Sequence, residues 1–368
     1  MQNERYSRHY ALPGFGESGQ QKLQEARVLV IGAGGLGCPV LQYLAAAGVG
    51  ILGIIDHDCV DLSNLHRQVL YETKDIGQEK AKVAADKLRR QNPDIEIRYW
   101  VKQLHSGNVA DLIGSYDLIM DCTDNFAARY LLCDACRLLD IPLIFAAIYQ
   151  YEGQVAVFNV ADKDGVKTDY RHLFPTPPDP LEAPDCNLAG VLGVLPGMIG
   201  MLQATEAIKL LTGIGAVLIN KLMTINMLDN SNYTFDIPKH PPKTTFYPQT
   251  LAELRTFDYN LYCAGEYTAI QAIDAAEFLA IGASSDCVLV DVRNLNELPR
   301  ISLPHLSIPL IALPAQIKNI VGKRVIFICQ SGKRSLIAAQ YFQKQADVGQ
   351  QIFHLDGGMI ALENYLND

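Results

Sequence analysis

The sequence lacks an excess of positive charge. Its 31 lysines and arginines face 40 aspartates and glutamates, a net of −9 over 368 residues. That excludes a protein gripping nucleic acid nonspecifically through a basic surface, while a local basic pocket for phosphates stays compatible with it. Charged residues are scarce at 19% and apolar ones make 49%, so the chain is not a disordered one and has material for substantial cores. No apolar segment follows Met1, as an export signal would require. Nine cysteines are an odd number for a disulfide framework, and reduced thiols in a cytoplasmic protein are the expectation. No short period repeats. Cys186 to Thr205 carries no charge for 20 residues. Its Asn187, Gln203, Pro196 and four glycines make a poor membrane span, and a buried loop plus core helix is expected.

At roughly 100–200 residues per domain, more than one domain is expected. Strand-like runs at Arg27–Ile31, Ile51–Asp56, Ile95–Val101, Tyr116–Asp121 and Ile141–Ala147 alternate with helical patterns at Cys38–Ala47 and Gly77–Gln91. That predicts an α/β doubly wound, Rossmann-like parallel sheet. Gln154–Val160 reads as antiparallel, and five prolines between Pro175 and Pro184 make an irregular loop. A helix over 199–211 and a strand over 221–228 follow. From Asp229 to Tyr262 the chain is polar and broken by prolines, and reads as a linker. A second α/β unit then shows helices over 272–281 and 335–345 and strands over 287–291, 324–329 and 351–355. The division expected is 1–235, a linker over 236–264, and a smaller α/β domain over 265–368.

Glycines 32, 34 and 37 follow the first strand and open a helix, and Asp56 lies 19 residues beyond Gly37. Glycine permits the tight turn and lets a phosphate approach the backbone, whose helix N-terminus offers N–H groups. Asp56 would accept hydrogen bonds from ribose hydroxyls. This motif alone suits NAD or FAD as readily as ATP. Asp58, Ser63-Asn-Leu-His-Arg-Gln68, Gly77-Gln-Glu-Lys80 and Asp121-Cys-Thr-Asp-Asn125 crowd fixed polar groups near the strand ends, where open sheets bind ligands. Arg67 and Lys80 could screen a triphosphate, and Asp124 could hold Mg²⁺, which prefers oxygen. Singly, Arg67 also reads as a surface ion pair, Lys80 as a solvated helix charge and Asp124 as a helix cap.

Together with Glu4-Arg-Tyr-Ser-Arg8 and Gly32-Ala-Gly-Gly-Leu-Gly37, these motifs resemble the MoeB/ThiF family of E1-like enzymes, over residues 1–235. The resemblance implies ATP and Mg²⁺ as cofactors and transfer of AMP to the C-terminal carboxylate of a small ubiquitin-like sulfur carrier ending in Gly-Gly. It implies ATP contacts by Gly32, Gly34, Gly35, Gly37, Asp58 and Asn125, a ribose ligand in Asp56, phosphate ligands in Asn64, Arg67 and Lys80, and a Mg²⁺ ligand in Asp124. It also implies a homodimer in which Arg8 reaches the neighbouring subunit's nucleotide. In the family, a cysteine ahead of a glycine-rich segment, here Cys186, can link to the carrier; an inert loop thiol is the alternative. Many relatives carry two Cys-x-x-Cys zinc pairs. This chain has Asp169-Tyr-Arg-His172 at the first and no cysteine between Cys186 and Cys263, so no structural zinc is expected. Cys133 and Cys136 are expected to face the core.

Near the C-terminus, Cys329-Gln-Ser-Gly-Lys-Arg334-Ser follows a strand and opens a helix. Such a loop aims backbone N–H groups at one sulfur, and Arg334 with the helix dipole would favour a thiolate or persulfide. A buried strand-end cysteine and a phosphatase-like loop are the competing readings. With Asp291-Val-Arg293, Glu297 and Leu355-Asp-Gly-Gly358, the segment resembles a rhodanese domain, which implies that Cys329 carries persulfide sulfur from a donor. Asp291 and Arg293 read as structural partners.

The expectation is thus a fused adenylyltransferase and sulfurtransferase, with Arg67, Lys80, Asp124, Cys186, Cys329 and Arg334 as catalytic residues. Its product is a carrier thiocarboxylate, for molybdopterin first and for thiamine or another sulfur pathway as the alternative. A linker of about 30 residues would raise the effective concentration of one site at the other. The readings from other classes are a dehydrogenase with an appended rhodanese and a non-catalytic adaptor.

Overall fold

The computed structural model describes every residue except 1, 179–189, 241–246, 265–269, 283, 285, 344, 347–348 and 368. The described residues divide into two units, the first running to Cys263 and the second following it. The first is built on eight strands: β1 (Arg27–Ile31), β2 (Ile51–Ile55), β3 (Glu96–Trp100), β4 (Leu118–Asp121), β5 (Leu143–Tyr149), β6 (Glu152–Phe158), β7 (Lys221–Asn226) and β8 (Ser231–Asp236). Their order is β3-β2-β1-β4-β5-β6-β7-β8. β1 to β5 are parallel, and β6 to β8 join antiparallel.

The central strands are buried on both faces because helices cover both. On one side lie α1 (Gly16–Glu25), α2 (Gly37–Ala47), α3 (Lys80–Gln91) and α5 (Val194–Thr212); on the other lies α4 (Phe126–Leu139). Cys133 and Cys136 are buried in α4. At Asp169-Tyr-Arg-His172, Asp169 caps a short helix over Tyr170–Leu173 by accepting from Arg171 N at 2.9 Å.

The charge-free stretch resolves into α5, five residues longer at its start than expected; its first residues, through 189, lie outside the described set. α5 is long and apolar enough to cross a membrane by length and composition. It lies against the sheet instead, with Leu195, Ile199, Gln203 and Ala207 buried. Gln203 donates both amide hydrogens, to Asp121 O at 2.7 Å and Ile144 O at 3.0 Å.

The linker reading needs correction. β8 occupies its start, and α6 (Leu251–Thr256) and α7 (Tyr259–Ala264) fold onto the first unit. Ile237, Leu254 and Tyr259 are buried in its core. The prolines hide any periodicity, and what holds the segment is a charge. Arg171 is 3% exposed and Asp134 0%. The guanidinium meets the carboxylate through Nε at 2.8 Å and Nη2 at 2.7 Å, while Nη1 reaches Tyr262 Oη at 2.8 Å. Tyr259 Oη donates to the same carboxylate at 2.7 Å. The guanidinium also stacks over the rings of Tyr130, Tyr247 and Tyr262 at 4.7 to 5.1 Å.

The second unit carries β9 (Gln271–Ile273), β10 (Cys287–Asp291), β11 (Leu306–Ser307), β12 (Arg324–Ile328) and β13 (Gln351–Leu355), all parallel in the order β11-β10-β12-β13-β9. The helix expected over 272–281 begins later, as α8 (Ala275–Gly282), because Gln271–Ile273 pairs with β13 as an edge strand. α9 (Lys333–Gln343) and α10 (Gly358–Asn367) complete the unit, around Phe278, Leu289, Ile326, Ile328 and Leu355.

Asp134→Ala should strand the Arg171 cation in the core and cost about 3–5 kcal/mol in urea denaturation. Lys221→Ala, on an exposed pair with Asp236, should cost at most about 1 kcal/mol.

Candidate active sites

The turn between β1 and α2 is possible only with glycine. Gly32 sits at φ +94°, and a Cβ there would lie 2.6 Å from Cys122 O. A Cβ on Gly37 would lie 2.0 Å from Gly32 O. The Asp56 carboxylate, at the end of β2, ties this turn down: Oδ2 accepts from Ala33 N at 2.7 Å and Oδ1 from Asp58 N at 2.8 Å. Burial raises the Asp56 pKa above the ordinary carboxylate range. Tyr71 Oη donates to Ala33 O at 2.8 Å from the other side.

Lys80 opens α3 with its side chain 6% exposed, and its ammonium donates to Asp58 Oδ2 at 2.9 Å. A buried cation held by one flexible, half-exposed acid can turn to a phosphate. Arg67 Nη1 lies 3.0 Å from Ser63 O and 2.9 Å from His66 Nε2. Asp124 is exposed just before α4. The helix cap, the alternative reading of Asp124, is supplied by Asn125, whose Oδ1 accepts from Ala128 N at 2.9 Å.

These groups line one cavity of about 560 Å³, which collects Gly32, Gly34, Gly35, Asp56, Asp58, Arg67, Lys80, Asp124 and Asn125. Gly37 acts beneath it through the turn. Asn64 and Arg8 are not among the lining residues; Asn64 Nδ2 donates to Ser63 Oγ at 3.2 Å, and Arg8 is exposed on a short helix over Ser7–Tyr10. Sequence reasoning missed other lining residues. Gln68 is 4% exposed, and its Oε1 meets no partner among the described residues. Arg129 holds its guanidinium over Phe126 and Phe145 at 5.5 and 5.6 Å. Its place one turn beyond Asn125 was the available signal. Lys102–Ser106 and Thr256–Asn260 also line the cavity, and no local motif marks either segment.

In the second unit Cys329 directly follows β12 and is fully buried. Ser335 N donates to its Sγ at 3.2 Å, and Ser335 Oγ lies at 3.5 Å. The loop is clamped by the start of α10: Met359 N donates to Cys329 O at 2.8 Å, and Gly358, at φ +62°, leaves no room for a Cβ against Cys329 O at 2.3 Å. Both terminal nitrogens of Arg334, the residue expected to stabilise the sulfur, are committed to Glu297 at 2.6 Å each. Cys186 lies outside the described residues.

Gly37→Ala should displace the turn. We expect nucleotide affinity, read by calorimetry, to fall at least about tenfold, with a lower melting temperature, because the clash is with backbone rather than with a movable side chain. The Glu297 carboxyl is held below its usual range by Arg334. Stability from that pair should be complete above the ordinary glutamate pKa and be lost as pH falls through the lowered value. The difference in melting temperature between wild type and Glu297→Gln should therefore shrink on acidification.

The ThiF family model matches residues 6–246, and the rhodanese-like domain model matches 274–364. The chain is 39% identical to the probable adenylyltransferase/sulfurtransferase MoeZ of Mycobacterium tuberculosis, across 97% of this chain and 92% of that one. It is 48% identical to the sulfur carrier protein adenylyltransferase of Thermus thermophilus, across 65% of this chain and 88% of the relative. With the adenylyltransferase and sulfurtransferase MOCS3 of Drosophila grimshawi it shares 36% across 99% of this chain and 84% of that one. Among solved structures, Escherichia coli MccB crystallised with ATP is similar at TM-score 0.56 and 23% identity, covering 65% of this chain and 73% of that one, a likeness of fold. The chain belongs to the ThiF family, and it carries a rhodanese-like domain at its C-terminal end.

Proposed function

We propose that the first unit adenylylates the C-terminal glycine of a ubiquitin-like sulfur carrier with ATP and that the second supplies persulfide sulfur, giving a carrier thiocarboxylate. The observation that carries this reading is the convergence of the glycine turn, Asp56, Arg67, Lys80 and Asp124 on one cavity. The turn leaves its backbone open to phosphates, and the buried Lys80 ammonium offers a cation deep in the pocket. A carboxylate oxygen of the carrier attacks the α-phosphorus, and pyrophosphate leaves. Arg67 and Lys80 stabilise its charge. The exposed oxygens of Asp124 suit Mg²⁺, which would neutralise phosphate charge when bound. Cys329 bears the sulfane sulfur that attacks the activated carbonyl and displaces AMP, leaving the carrier joined to Cys329 through an acyl disulfide; a second thiol then attacks the Cys329 sulfur, the thiocarboxylate leaves with the electron pair, and the disulfide left on Cys329 is reduced by an external thiol. Cys186 holds the carrier or relays sulfur. The carrier feeds molybdopterin synthesis in the first reading and thiamine or another pathway in the second.

A homodimer completes the site in this reading. Arg8 is exposed and outside its own cavity, as suits an arginine serving a neighbour. The outward side of α5 bears Val194 and Met201, 63% and 41% exposed, and the partly buried Met198 and Leu202, a charge-free face that a second copy would cover.

Exchange of pyrophosphate into ATP, dependent on a Gly-Gly carrier, tests the reading. Arg67→Ala and Lys80→Ala should each slow it by about 10²-fold or more; unimpaired variants would favour an adaptor, and tightly bound NAD a dehydrogenase. Cys329→Ser should stop thiocarboxylate formation, read by mass spectrometry, and leave exchange intact. Mixed dimers of Arg8→Ala with Asp124→Ala should recover part of the activity that each loses alone.

A further inference from the structure

One buried hydroxyl that the adenylylation step does not use joins three parts of the nucleotide cavity. Tyr71 is 5% exposed. Its Oη donates to Ala33 O, in the glycine turn, at 2.8 Å, and lies 3.3 Å from Lys80 O, in the first turn of α3. Burial raises the pKa of the phenol, so the group stays a donor. The Cys38 thiol also faces Ala33 O, at 3.6 Å, as a weaker donor. The third part is the segment that carries Arg67 and Gln68, which Tyr71 closes by donating its own N–H to Gln68 O at 3.0 Å. Lys87, from α3, pins the residues on either side, donating to Leu70 O and Glu72 Oε1 at 2.9 Å each. The ring is therefore held without its hydroxyl, and what the hydroxyl adds is the link between turn and helix.

The turn and Lys80 are also joined by a longer route. Ala33 N and Asp58 N both donate to the Asp56 carboxylate, and Lys80 N donates to Asp58 O at 2.9 Å. That route needs three hydrogen bonds and passes through the exposed Asp58, whose carboxylate the Lys80 ammonium must leave to meet a phosphate. Through Tyr71 the same two main-chain segments stand one side chain apart, and the ammonium takes no part in that link. We propose that Tyr71 is a positioning residue for adenylylation: its hydroxyl fixes the start of α3, and Lys80 with it, against the glycine turn that receives the phosphates. The proposal rests on reading the turn and Lys80 as the phosphate site. In the step, a carboxylate oxygen of the carrier bonds to the α-phosphorus, the bond from that phosphorus to the bridging oxygen breaks, and pyrophosphate leaves with the electron pair. ATP in the ground state is held by many contacts, so slack between turn and helix costs little binding. The charge that develops on the leaving oxygen falls at one place, and Lys80 must meet it there.

The test uses the full chain with MgATP and a set of ubiquitin-like proteins ending in Gly-Gly, keeping the one that gives wild type its fastest pyrophosphate exchange. Tyr71→Phe should lower kcat about tenfold and move the ATP KM less than about threefold. 4-Aminophenylalanine at position 71 puts an N–H donor back in the same place and should return kcat to within about threefold of wild type. Added to Lys80→Ala, Tyr71→Phe should cost less than about twofold more, because the side chain it positions is gone. A loss in the double variant as large as in Tyr71→Phe alone would overturn the proposal and leave Tyr71 as a brace of the fold. An unchanged kcat in Tyr71→Phe, or no recovery with the amino group, would overturn it equally. So would a Tyr71→Phe chain that does not fold, since the hydroxyl would then be holding the unit rather than the site. Lys80→Ala with wild-type exchange would instead overturn the reading of Lys80 on which the proposal rests.

Discussion

The first unit depends on one close approach of three backbone segments. Gly32, Gly37 and the Cys122 carbonyl meet at distances that exclude any side chain, and this lets α2 start directly at the end of β1. Asp56 and Tyr71 take their places from that turn. Asp56 is tied to Ala33 N, Tyr71 to Ala33 O, and Gly35 abuts Pro196 at the start of α5. A helix start held this tightly keeps its N–H groups aimed at one spot, which is what a phosphate site needs.

A second constraint closes the cavity from the far end of the chain. The Arg171–Asp134 pair is buried, and by itself such a pair says little about stability, because desolvation offsets the attraction. Its value here is in placement. The same carboxylate takes Tyr259 Oη, and the same guanidinium takes Tyr262 Oη and three aromatic faces. The pair thereby fixes α6 and α7, so that Thr256–Asn260 stand at the cavity wall.

The sulfur site works on a smaller scale with the same materials. A buried thiol, one N–H of α9 and the glycine at the start of α10 form a tight loop, beside which Arg334 and Arg293 are paired with Glu297 and Asp291. The loop backbone sets where the sulfur is held.

Much was legible in the residues themselves. The β-branched runs and the glycine spacing marked β1, β2 and the turn, because local sterics and period decide them. The polar motifs at 56–68, 77–80 and 121–125 pointed at one cleft, because strand ends of a parallel sheet share an edge. Tertiary structure alone decided the rest. Gln68 and Arg129 line the cavity and Asn64 does not, since a side chain's direction depends on what packs beneath it. Residues 247–263, polar and proline-broken in sequence, became part of the core through a partner more than 70 residues earlier. Arg334, whose spacing from Cys329 suggested a direct grip on sulfur, was taken by Glu297 from the loop after β10. Local propensity carries no information about which buried charge a distant segment will meet, and in this chain those distant pairings shaped both sites.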